Sequence, residues 1–62
     1  MTKEEINKDF GMKQLHDDLL AEYGVTDNPK AEKCFRLAWE HGHSAGHEEV
    51  ALYFGEFVEL IK

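Results

Sequence analysis

The chain has 62 residues, one cysteine, and 13 acids against 7 bases for a formal charge of −6. That length allows one domain, which hides only about 60% of the surface its unfolded form exposes. It excludes a self-contained large-fold enzyme, and the lone cysteine excludes an intrachain disulfide. With 42% hydrophobic and 32% charged residues the composition is globular rather than disordered.

Thr2-Lys3-Glu4-Glu5 reads as a capping box, in which the Thr2 hydroxyl and the Glu5 carboxylate each accept from the other's backbone N–H. Met1 and Ile6 stand where a hydrophobic staple would hold that turn. Ile6 and Phe10 make one short apolar stripe, and Met12, Leu15, Leu19 and Tyr23 make another, with Leu20 beside it. Gly11 lies at the change of phase. The expectation is one helix over 2–23 bent near Gly11, or a short helix followed by a longer one. Gly24 then ends it as a left-handed cap with Val25 in the accompanying apolar contact. Thr26-Asp27-Asn28-Pro29 is a turn, with Asn28 as N-cap and Pro29 at the first helical position.

The next helix is expected over 29–41. Ala31, Cys34, Phe35 and Ala38 share a face, Leu37 and Trp39 flank it, and Lys30, Lys33 and Arg36 point outward. Gly42-His43-Ser44-Ala45-Gly46 follows. Two glycines in five residues argue for a break, with Ser44 capping a new helix over 44–62. The other possibility is one long helix whose small residues, Ala38, Gly42 and Ala45, admit a neighbouring backbone. In the last segment Val50, Tyr53, Phe54, Phe57 and Ile61 recur at helical spacing, flanked by Val58 and Leu60, and Glu48, Glu49, Glu56 and Glu59 lie towards the opposite side.

These elements give a single all-α domain over 1–62, a helical hairpin or three-helix protein. The stripe from Val50 to Ile61 is wider than a hairpin of this size covers. A homodimer is therefore expected, a dimeric helical bundle with Ala38, Gly42, Val50, Phe54, Phe57 and Ile61 in its core.

Several short motifs need weighing. Gly42 to Gly46 spells G-x-S-x-G, the nucleophile elbow of α/β-hydrolases, but what precedes it reads as helix rather than strand, and no sheet fits in the chain. No catalytic residues and no cofactor are expected. His41, His43 and His47 cluster, and the 43/47 spacing would put two imidazoles on one side of a helix, a usable pattern for zinc or nickel or for a pH response. The more ordinary expectation is surface histidines. Cys34 lies on an apolar face and reads as a small buried hydrophobe. The acidic rows, Glu40, Glu48, Glu49, Glu56 and Glu59 with Asp17 and Asp18, could present phosphate-like charge to a basic protein. They argue against direct binding of nucleic acid, which needs clustered Lys and Arg. No stretch is apolar enough for a membrane helix, and the first residues lack the apolar core of a signal peptide. A cytoplasmic location is expected, in keeping with a single thiol.

Ala38-Trp39-Glu40-His41-Gly42-His43-Ser44-Ala45-Gly46, with Glu49-Val50, Tyr53-Phe54 and Val58-Glu59-Leu60-Ile61 after it, resembles a segment of short tailed-bacteriophage proteins. The resemblance covers the C-terminal half and implies no catalytic residue. It implies a setting: a small phage protein in the host cytoplasm that binds and inhibits a bacterial host protein. The expected function is therefore a non-enzymatic interaction protein, with Trp39, His43, His47 and Tyr53 as the partner-binding residues. The alternative is a metal- or pH-responsive module built on His41, His43 and His47.

Overall fold

The computed structural model describes residues 2–61 and shows four α-helices and, among those residues, no strand. They are α1 (Lys3–Lys8), α2 (Phe10–Glu22), α3 (Pro29–Gly42) and α4 (His47–Glu59). The all-α fold is as expected from the sequence. Met1, the expected staple residue, lies outside the described part.

The capping box of α1 is present: Glu5 N–H donates to Thr2 Oγ1 and Thr2 N–H donates to Glu5 Oε1, each at 3.3 Å. The segment takes the second of the two expected forms, a short helix followed by a longer one, with the break at Asp9 rather than at Gly11. Asp9 is extended (φ −100°, ψ 108°), closes α1, and accepts the Met12 N–H at 3.0 Å as the N-cap of α2. A carboxylate that satisfies an otherwise orphaned helical donor stabilises a boundary by about 1 kcal/mol. Gly11 is merely the second residue of α2. The break also divides the expected Ile6/Phe10 stripe: Ile6 turns into the core, while Phe10 is 81% exposed.

The two ends of the α2–α3 loop are as the sequence predicts. Val25 N–H donates to the Leu20 carbonyl at 2.9 Å and Gly24 N–H to that of Ala21 at 3.1 Å, the paired bonds of a Schellman cap, with Leu20 and Val25 both buried. Asn28 Oδ1 accepts from Lys30 N–H at 2.9 Å and Ala31 N–H at 3.4 Å, with Pro29 opening α3.

Residues 43–46 form a tight turn, so 29–62 is not one long helix. Gly46 has φ 114° and ψ 170°, a conformation essentially closed to residues with a side chain. It, not Ser44, is the N-cap of α4, which starts at His47 rather than 44. Ser44 is exposed and makes no cap bond. The turn folds α4 back along α3 as an antiparallel hairpin. At its neck a Cβ on Gly42 would lie 2.8 Å from the Val50 backbone nitrogen. The close backbone approach that small residues permit is therefore real at Gly42, but it occurs within one chain; Ala45 is an exposed turn residue.

Ala31, Cys34, Phe35 and Ala38 are buried together, as their shared face predicts. α4 answers them with Val50, Phe54 and Val58, all fully buried, and the rings of Phe35 and Phe54 meet at 6.4 Å. This stripe is rotated from the expected one: Tyr53, Phe57 and Ile61 are only half-buried at its margin. The expected dimer core needs correcting for the same reason. Ala38, Gly42, Val50 and Phe54 are enclosed by the chain's own helices and offer nothing to a second copy. α2 supplies the lid that a hairpin alone lacks, through Met12, Leu19 and Leu20. The radius of gyration, 10.2 Å, is close to the ~10–11 Å of a single compact chain of this length.

Candidate functional site

The four residues expected to bind a partner do not form one surface. Trp39 is half-buried on α3, with Phe35 stacked on it from the core side at 6.3 Å. His43 stacks on it at 5.7 Å and 13°, and His47 leans against it at 6.0 Å and 45°. Tyr53 belongs to a separate group with His41 (5.7 Å) and Phe57 (6.2 Å). His43 caps the C-terminus of α3 and His47 begins α4, so the one-helix spacing behind the metal reading does not apply. His41 turns away to Tyr53 and Phe57. Among the described residues no group of three or more His, Cys, Asp or Glu side chains could hold a metal ion. His43 Nδ1 lies 2.8 Å from the Trp39 carbonyl. A carbonyl only accepts, so Nδ1 carries a proton, and its bond fixes the ring over the indole.

G-x-S-x-G is the α3–α4 turn, with helix on both sides. Cys34 is buried, and burial pushes its thiol pKa up, which disfavours the nucleophilic thiolate.

One polar residue in the core was not anticipated. His16 is 7% exposed and sets its ring edge-on to Phe35 at 5.0 Å and 85°. Its Nδ1 lies 3.0 Å from Asp17 Oδ1, while its Nε2 is buried with no hydrogen-bond partner. A signal was present: His16 is four residues from Met12 and from Leu20, in the middle of the stripe that α2 buries. A hydrophilic residue type concealed it.

The surface most suited to binding was also missed. α2 and α4 diverge over a groove of about 610 Å³. Its floor is Leu19, Ala51, Leu52 and Gly55, and Tyr23 closes one side. The Tyr23 ring packs on Phe54 at 5.5 Å, and a Cβ on Gly55 would lie 2.6 Å from the Tyr23 hydroxyl, so the bare glycine seats that ring. Leu52 is 63% exposed. Beside these residues Glu22, Glu48, Glu56 and Glu59 line the groove, and among the described residues no Lys or Arg does. The Lys3–Glu32 ion pair, at 3.3 Å, lies elsewhere. Sequence periodicity had placed Glu48, Glu56 and Glu59 together, but the apolar strip between them needs α2 beside α4.

A family model matches residues 3–62, that of a family of unknown function, DUF8546. The chain belongs to that family. No curated protein and no solved structure matches it. Membership thus spans all four helices and carries no activity with it. Among the described residues no helix is long and apolar enough to cross a membrane.

Proposed function

We propose that this member of the family is a non-enzymatic interaction protein that docks another protein in the α2–α4 groove. In the setting implied by the bacteriophage resemblance, the partner is a bacterial host protein that it inhibits. The observation that supports this is an apolar strip, exposed at Leu52, in a groove that four glutamates also line. Exposed apolar surface framed by polar groups is how binding sites differ from ordinary surface. The Trp39 group supports binding less, because His43 and His47 cover part of the indole. Self-association is a second proposal, resting on Tyr53, Phe57 and Ile61, the half-covered margin of the expected dimer stripe.

The test is quantitative affinity capture with three forms of the protein: wild type, Leu52→Asp, and Trp39→Phe/His43→Ala. A partner held by the wild type and the Trp39/His43 variant but lost with Leu52→Asp supports the groove. Loss with the Trp39/His43 variant alone moves the site to the imidazole stack and overturns the assignment.

A further inference from the structure

Carboxylates at the rim of the groove are held where their own helices disfavour them. Glu22 is the last residue of α2, and Glu56 and Glu59 lie in the last turn of α4. Neither helix has a basic residue in its last turn. The C-terminal end of a helix carries about half a negative charge, so each such carboxylate there is opposed by about 0.3–1 kcal/mol. Glu56 and Glu59 are also three apart, a spacing at which like charges repel. A fourth carboxylate, Glu48, stands at the other end of the same face. These groups are a negative frame beside the exposed Leu52, and among the described residues no Lys or Arg lines the groove.

We infer that the groove takes a basic amphipathic helix of a partner protein, apolar side chains on Leu52 and Ala51 and Lys or Arg side chains among Glu22, Glu48, Glu56 and Glu59. The inference rests on the binding reading above and adds the chemistry of the occupant. Cationic side chains of a bound segment would relieve these unfavourable carboxylate placements, whereas an acidic or purely apolar segment relieves none. The dimensions agree. From Glu48 to Glu59 α4 rises about 16 Å at 1.5 Å per residue, so a helix of about three turns lies along the whole frame. Amphipathic helices in apolar grooves are a common recognition mode, with anchors at i, i+3, i+4 and i+7. Among the described residues no Lys or Arg lines the groove. Lys30 and Lys33 are on α3, and Lys3 is paired to Glu32.

The test uses two amidated probe peptides of about 16 residues, long enough for partial helicity in isolation. Both carry Leu at i, i+3, i+4 and i+7 on an alanine background. One has Lys and Arg on the flanks of the stripe, and the other has Glu at the same places. Binding is followed by amide chemical shifts of the labelled protein. The basic probe should saturate, with the largest shifts at Leu19, Leu52 and Gly55. Its Kd should weaken about tenfold between roughly 50 and 500 mM salt, as exposed charge pairs are screened. Glu56→Gln/Glu59→Gln, which keeps the shape, should weaken binding about fivefold or more with the spectrum otherwise unchanged.

Equal binding of the acidic probe overturns the inference, as does a shift pattern centred on Trp39 and His43. No saturable binding up to roughly 1 mM, or a groove occupied by a second copy of the chain, overturns it too. Failure here is distinguishable from failure of the binding reading. A captured partner that is lost with Leu52→Asp but indifferent to salt and to the glutamine pair leaves the groove as the site and removes the basic helix.

Discussion

α4 has two faces with opposite fates. Towards α3 it is sealed: Val50, Phe54 and Val58 are fully buried, and Gly42 lets the two backbones come within one atom layer. Towards α2 it is open: Leu52 stands in a groove, with glutamates where neutral or apolar residues would close it. A chain this small has little stability to spare, on the order of 3–5 kcal/mol from one core. It concentrates burial on the hairpin face and leaves the other for contact. The two faces should therefore respond to substitution on very different scales.

The largest effect should come from the sealed face. Phe54 touches Phe35 and Tyr23, and Phe54→Ala should cost about 3–5 kcal/mol. That equals the whole margin, so the variant should show largely unfolded far-ultraviolet circular dichroism at 25 °C. A cooperative melt close to that of the wild type would mean that the hairpin face is not the core.

Gly42→Ala should come next. Alanine favours a helix by about 1 kcal/mol over glycine, but its Cβ would press on the Val50 and Glu49 backbone at 2.8–3.0 Å. Backbone has no rotamer through which to yield, so the helices must separate, at a cost of about 1–3 kcal/mol. Thermal melting should show a net loss. A raised Tm would show that the neck relaxes freely and that the close approach is incidental.

Much of the sealed face was legible in the sequence, because its determinants are local. Capping residues (Thr2, Asn28, Pro29) and the Gly24 cap mark boundaries through bonds made within five residues. Ala31, Cys34, Phe35 and Ala38 reveal their face through helical period alone. Asp9 was passed over because an N-cap inside an apparent helix competes with the more conspicuous Gly11. The open face was not legible, because a groove is a relation between two helices. Glu22 and Glu56 are 34 positions apart in the chain, and nothing in either segment says that they frame one strip. The dimer expectation failed at Val50 and Phe54 for a related reason: α3 covers them within the same chain, a relation between two helices that the periodicity of α4 alone does not report.

His16 lies between the extremes. Its buried Nε2 lacks a partner, and an unsatisfied buried polar atom costs about 1–3 kcal/mol. His16→Leu removes that atom, along with the half-exposed bond to Asp17, and keeps the stripe of α2 apolar. Chemical denaturation should therefore show a gain of about 1 kcal/mol. A loss of that size would mean that the edge contact with Phe35 outweighs the orphaned nitrogen.

The smallest effect separates the two faces most directly. Leu52→Ser removes an apolar side chain that is 63% exposed. A side chain left mostly in water contributes only a fraction of the burial energy of Phe54, and surface substitutions of this kind stay within about ±0.5 kcal/mol. Stability and the dispersion of the amide spectrum should be those of the wild type, while binding in the groove falls. If Leu52→Ser instead lowers the Tm as much as Gly42→Ala, then Leu52 is part of the fold. α4 would then be sealed on both sides, and the acidic groove would be a gap in packing rather than a surface for a partner.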